Sequence, residues 1–233
     1  MKKKFLKNNL FYFVYKLLKI YRNNKPSIHY GEFAEDVFIN RLFKDNFDGT
    51  YVDVGCYHPF KGSLTARLYK KNWNGINIDI SKTSIDLFKM VRKRDINLNV
   101  AISDFDGETS YFENSLINQQ NSLIKKDDKQ NEVKIECLTL NTVLKKNNFE
   151  NFDYLNIDVE GSELNVIKGI NLKKYRPILI TIENNELQPK EYFDDEVCKI
   201  LIDNDYVFIN KIGVTNFFMT SDTAKQISNL IKI

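Results

Sequence analysis

The sequence predicts an α/β domain: a doubly wound, mainly parallel sheet with helices on both faces and a late antiparallel strand. Three observations predict it. Short β-branched and aromatic runs alternate with stretches whose apolar residues recur at helical spacing. Four of those runs finish near an acid, at Asp53, Asp79, Asp158 and Glu183. The stretch GTYVDVGCYHPFKGS (Gly49 to Ser63) passes from a strand through a glycine turn into a helix, which is how such a domain opens. Ligands of these sheets bind outside the carboxyl ends of the strands, where the four acids are expected to converge.

Within residues 1–24, MKKKFLKNNLFYFVYKLLKIYRNN, the longest apolar run is Leu10 to Tyr15, and it stops at Lys16. It is too short and too charged to span a bilayer. The basic start is followed by no small-residue cleavage site, which argues against a secretory signal. Two readings stay open: a basic amphipathic helix in peripheral contact with an anionic membrane surface, or a helix packed on the domain or a partner. Pro26 and Ser27 mark the domain's start, so residues 1–27 form an extension and 28–233 the domain.

From His29 to Phe43, Phe33, Val37, Phe38 and Leu42 recur at helical spacing. Asp48-Gly49 turns the chain into the first strand, Thr50 to Val54. A helix is expected over Ser63 to Lys71, closed by Asn74-Gly75, and then a strand over Ile76 to Ile80. Thr83 to Arg92 is read as a helix, Ile96 to Ser103 as a third strand, and Asp106-Gly107 as a turn into a hairpin strand around Tyr111. Asn118 to Asn131 is polar and unpatterned, and a loop of that length is expected to act as a lid. Beyond it come a strand (Val133 to Leu138), a short helix (Leu140 to Lys146), a buried strand (Tyr154 to Val159) and a helix (Glu163 to Lys168) capped by Gly169. A fifth core strand follows Arg176-Pro177. The chain ends with a helix over Tyr192 to Asn204, a hairpin of Tyr206 to Ile209 with Val214 to Met219, and a last helical stretch.

A length of 233 residues suits one such domain, and 42% hydrophobic with 28% charged residues lies in the globular range. A net charge of +3 leaves no nucleic-acid footprint, so no nucleic-acid partner is expected. Cys56, Cys137 and Cys198 are widely spaced with no CxxC pair, which predicts neither disulfides nor zinc and favours a reducing, cytoplasmic setting. Oligomeric state leaves no trace in the sequence.

The turn after the first strand has one glycine where a dinucleotide fingerprint needs three; Tyr57 and Phe60 take the other two positions. That disfavours a pyrophosphate, and with it a nicotinamide-dependent oxidoreductase. Asp79, at the end of the second strand, stands about where a carboxylate reaches ribose hydroxyls. A carboxylate-rich pocket suits a nucleoside bearing an amine and a sulfonium, as S-adenosylmethionine does.

Four stretches, YGEFAED, GTYVDVGCYHPFKGSLTARLYKKNWNGINID, NVAISDFDG and DYLNIDVEGSELNVIKGI, resemble the FkbM-type methyltransferases in order and spacing, over roughly His29 to Met219. The resemblance implies a class I, Rossmann-like, S-adenosylmethionine-dependent fold of seven strands, the last antiparallel. It also implies O-methylation of hydroxyls on sugars, glycans or other small molecules. The chain departs from the family at TLNT (Thr139 to Thr142) and at Cys56, where alanine is usual. By position, Asp53, Gly55 and Cys56 would line the cofactor's methionine part and Asp79 its ribose. Ser103 or Asp104 would lie near the adenine, and Glu35 and Asp36 on a helix closing over the amino-acid end.

A sugar hydroxyl gains from a base, which Asp158, Glu160 or His58 would supply. Asp158 with Glu183 and Asn184 offers oxygen ligands at adjacent strand ends, a set that looks like the magnesium site of catechol-type methyltransferases. In the plainer alternative Asp158 orients the substrate while Glu160 and Glu163 fix the turn and cap the next helix. A catalytically silent binding module on the same fold is the competing reading from another class.

Overall fold

The computed structural model describes residues 28–43, 48–113, 131–184 and 195–231. The amphipathic extension, most of the expected lid loop and the beginning of the expected helix at Tyr192 lie outside them. The elements are α1 (Glu35–Leu42), β1 (Thr50–Val54), α2 (Ala66–Lys70), β2 (Asn74–Ile78), α3 (Lys82–Val91), β3 (Ile96–Leu98), β4 (Ala101–Ile102), β5 (Gly107–Glu113), β6 (Asn131–Leu138), α4 (Leu140–Lys146), β7 (Tyr154–Ile157), α5 (Glu163–Lys168), β8 (Leu179–Glu183), α6 (Glu196–Asp203), β9 (Tyr206–Ile212), β10 (Thr215–Thr220) and α7 (Ser221–Ile231).

Seven strands form one sheet in the order β3-β2-β1-β7-β8-β10-β9. Neighbours from β3 to β8 are parallel, while β10 runs antiparallel to both β8 and β9. Chain order reverses between β1 and β7, so a cleft opens at their carboxyl ends. Among the described residues no helix is long and apolar enough to cross a membrane.

Period-two alternation sends Val52, Ile76, Leu155 and Ile180 to one face, where they pack with Leu140, Val166 and Leu201 of α4, α5 and α6. Tyr51, Tyr154, Leu179 and Phe217 go to the other face with Ile39 of α1 and Leu68 of α2. That second face also carries a polar row in register across five strands, from half-buried Asn97 through buried Asn77, Asp53, Asn156 and Thr181. Asn77 Nδ2 donates to Asn97 Oδ1 (2.8 Å), Asn156 Nδ2 to Asp53 Oδ1 (2.9 Å), and Thr181 Oγ1 to Asn156 Oδ1 (2.7 Å). These bonds let the groups remain inside the core, although Asn77 Oδ1 is buried without a hydrogen-bond partner.

The structure corrects several expectations. Asp53 is not at a strand end: it pairs in register with Asn77 and Asn156, a rung deeper than Asp79 and Asp158. The strand expected over Ile96 to Ser103 breaks at Asn99, whose Nδ2 donates to the main-chain oxygens of Asp79 (3.0 Å) and Ile80 (2.8 Å). Its second half, β4, joins a separate sheet of order β4-β6-β5. Gly75 lies within β2 instead of a turn, because a side chain there would come 2.1 Å from the Tyr51 oxygen. Gly169 caps α5 at φ −78°, outside the left-handed region; it is small because a Cβ would lie 2.3 Å from the Ser103 oxygen.

Candidate active site

A cavity of about 190 Å³ follows the carboxyl ends of β1, β2, β7 and β8. Its floor is the turn from Asp53 to Tyr57, its far wall runs from Ile78 to Ser81, and its near wall holds Asp158, Val159, Glu160 and Glu183. Phe33 and Glu35 of the α1 segment and Gly62 to Leu64 of the loop after β1 close over it.

Gly55 sets the floor. Its φ is +81°, and a Cβ would come 1.6 Å from the Asp158 oxygen, so the crossing of β1 and β7 leaves room for glycine alone. The Gly55 and Cys56 amides both donate to the Ile78 oxygen, at 2.9 and 3.2 Å. Burial, with Asp79 and Asp53 close by, holds the Cys56 thiol well above its usual pKa, so it stays protonated and unreactive.

At the far wall, Asp79 accepts the Tyr57 amide on Oδ2 (2.8 Å) and the Ser81 amide on Oδ1 (2.7 Å). Each oxygen keeps a lone pair for a hydroxyl donor, which is the geometry a vicinal diol needs. Burial raises its pKa to about 6, against the two amide bonds that favour the charge. Asp53 lies deeper, spanned by Thr65 Oγ1 (2.7 Å) and Asn156 Nδ2, with burial raising its pKa.

The near wall brings three carboxylates together. One ligand oxygen each from Asp158, Glu160 and Glu183 lies within 4.8 Å of the others. Burial first, then a hydrogen bond to Glu183 and that residue's charge, push the pKa of Asp158 well above the carboxylate range. Glu160 completes the trio of carboxylates. Asn184 follows Glu183, its main-chain amide donating to the Val214 oxygen (2.8 Å) and its main-chain oxygen accepting from Lys211 Nζ (3.3 Å). Glu163 braces the wall, its Oε1 accepting the amides of Gly161 (3.0 Å) and Val159 (3.3 Å).

Four other expected residues stand elsewhere. His58 does not line the cavity: its Nδ1 accepts the amides of Phe60 (3.1 Å) and Lys61 (3.0 Å), so the ring closes its own turn. Burial, Lys61 and Arg92 lower its pKa. Asp36 is fully buried behind the cavity, accepting the amides of Tyr30 and Gly31 and Arg67 Nε (2.8 Å); only Glu35 of that pair faces inward. Ser103 and Asp104 follow β4 away from the site, and Val100 and Ile102 form the apolar wall they were expected to flank. Ser103 Oγ turns to Asp104 Oδ1 (3.2 Å).

Sequence reasoning missed Arg92. It is fully buried, and its donors reach the Pro59 oxygen from Nε (3.1 Å) and Nη2 (2.6 Å), Ser63 Oγ from Nη2 (2.7 Å), and Thr65 Oγ1 (2.7 Å) and Tyr51 OH (3.1 Å) from Nη1. Thr65 passes the contact on to Asp53, and Tyr51 to Asp95 (2.6 Å). All five guanidinium hydrogens are thereby used, and the loop over the cavity is fastened to the end of α3. In the sequence Arg92 sits within VRKRD and looks like any basic helix end; the Ser and Thr of GSLT were the available signal.

Together these parts make a cleft that can hold a nucleoside by its diol and present a proton-accepting carboxylate pair to a second substrate. No curated protein matches the chain. Among solved structures, a TehB-like SAM-dependent methyltransferase from Corynebacterium glutamicum is similar, at 11% identity and a TM-score of 0.45, over 89% of this chain and 96% of that one. The methyltransferase FkbM domain matches residues 53–208, from the floor of the cavity into β9, and the chain belongs to that family.

Proposed function

We propose that the protein is an S-adenosylmethionine-dependent O-methyltransferase acting on a hydroxyl of a sugar, glycan or glycoconjugate precursor. The observation that carries the reading is the Asp158–Glu183 pair, which faces the same cavity as Asp79. When bound, S-adenosylmethionine supplies an electrophilic methyl carbon on a sulfonium. Asp79 accepts the ribose hydroxyls, Gly55 lets the main chain approach, and the buried carboxyls favour the cofactor's positive charge. The ionised pair, with the proton affinity of Asp158 raised by burial, accepts the acceptor's hydroxyl proton, a contribution of about 10²- to 10⁴-fold.

A metal-assisted version of the same reaction has one observation in its favour. Asp158, Glu160 and Glu183 offer three hard oxygen ligands within 4.8 Å, which fits a magnesium ion that would lower the hydroxyl's pKa.

The test is a methyl-transfer screen of the purified chain over sugars, nucleotide sugars and glycans, with magnesium or with chelator. Transfer to a hydroxyl is expected, and its loss on chelation would select the metal-assisted version. No transfer together with no calorimetric binding of S-adenosylhomocysteine would leave a silent binding module. Asp158→Asn is expected to lower kcat about 100-fold or more with cofactor affinity changed less than about threefold. Equal losses in both would make Asp158 a binding residue.

A further inference from the structure

A second hollow of about 500 Å³ opens between the carboxyl ends of β7 and β8, the middle of β10 and the start of α6. It shares Glu160 and Glu183 with the cofactor cavity, so the two chambers meet at these carboxylates, and Glu183 belongs to the pair assigned to proton transfer. Its volume lies in the range of small-molecule pockets, roughly 300–1,000 Å³. Leu164 and Val197 give it apolar area, and Asn184 and Asn216 give it amides. Glu163 and Asp195 add carboxylates to the two at the shared wall, and no lysine, arginine or histidine is among the described residues lining it. Lys211 reaches its rim, donating to the main-chain oxygen of Asn184.

We propose that this second chamber holds the methyl acceptor and selects a hydroxylated, amine-bearing molecule, of the amino-sugar class, over phosphorylated or carboxylated ones. The proposal rests on the methyltransferase reading above. A cavity next to the cofactor, wide enough for a sugar ring and joined to it through the base, is where an acceptor hydroxyl meets the reactive centre. An ammonium there gains charge-assisted hydrogen bonds from the carboxylates of the lining, Glu163 and Asp195 among them. A phosphate would give up its hydration beside like charges, with no cation among the described residues lining the chamber, and like-charge juxtaposition is strongly disfavoured.

The experiment uses the full chain saturated with S-adenosylhomocysteine, titrated calorimetrically with three probes on one skeleton: glucosamine, glucose and glucose 6-phosphate. Glucosamine is expected to bind tightest, and glucose 6-phosphate about tenfold or more weaker than glucosamine. Added salt should narrow the gap. Asp195→Asn, which changes one half-buried carboxylate of this chamber and none of the cofactor cavity, should shrink the preference for glucosamine at least about threefold. Equal or tighter binding of the phosphate, no binding of any probe, or an unchanged preference in Asp195→Asn overturns the proposal while leaving the methyltransferase reading in place. Failure of S-adenosylhomocysteine itself to bind overturns both.

Discussion

Where the chain enters the sheet from a helix, Asn72, Asn148 and Asp205 take left-handed backbone at φ of 69°, 52° and 62°. Each donates its amide to a carbonyl of the helix just ended: Tyr69, Lys145 and Ile202. Asn and Asp tolerate that conformation, so these turns are built with little strain. At the site end the same conformation falls on Ala34, Tyr57 and Glu160, at φ of 64°, 49° and 57°. Tyr57 and Glu160 line the cavity, and Ala34 sits between Phe33 and Glu35, which also line it. Side chains of that kind in left-handed backbone cost on the order of 1 kcal/mol each. One end of the sheet is made for stability, while the other holds strain where side chains must be aimed into a cleft.

The largest test of that contrast is Gly55→Ala. A methyl group 1.6 Å from the Asp158 oxygen, on a residue at φ +81°, is expected to cost about 3 kcal/mol or more and to abolish cofactor binding. Denaturant unfolding and calorimetry would read both, and a loss below about 1 kcal/mol would mean that β1 and β7 are not locked at their crossing.

Next comes Asp79→Asn, expected to weaken S-adenosylhomocysteine about tenfold at pH 8. In the parent chain the carboxyl ionises near pH 6, so affinity should rise as pH rises through about 6 and fall below it. The sign for stability is opposite. The folded pKa lies above the reference value of 3.8, so the folded chain binds the proton more tightly, and Asp79's contribution to stability declines between pH 3.8 and about 6 as pH rises. Asp79→Asn should flatten both dependences, and an unchanged affinity profile would move the ribose contact elsewhere.

The smallest effect compares Glu160→Gly with Asn148→Gly. Relief of strain should make the first variant about 1 kcal/mol more stable and much less active, while the second should change stability by less than about 0.5 kcal/mol. Equal shifts at the two ends would dissolve the distinction between them.

The alternation of strands and helices is legible in the sequence because buried parallel strands need apolar runs and their crossovers need amphipathic helices. The strand-end acids Asp79, Asp158 and Glu183 are legible for the same reason: a charge closes each run. Depth is harder to read. DVG looks like a strand end, yet Asp53 is buried a rung below it, because Asn156 and Thr65 hydrogen-bond a carboxylate that two non-adjacent stretches must meet to satisfy. The signal was present in GINID and YLNID, where Asn77 and Asn156 each stand two positions before the acid and so share its face. Ser103 and Asp104 were misplaced because a single side chain, Asn99, ends β3, and no periodicity records that. His58 was misread because a histidine that accepts its own turn's amides looks, in sequence, like one free to act as a base.

Arg92 has a consequence for how the domain assembles. Its hydrogen-bond partners come from β1, the loop after it and the start of the next helix, so its charge is fully solvated by protein only once all three have docked. A half-formed unit would expose a guanidinium to an apolar interior with bonds missing, a penalty that makes partial structures rare. Residues 50–97 should therefore open and close as one cooperative block, with the amides of the 59–65 loop exchanging with solvent at the same slow rate as those of β1 and β2.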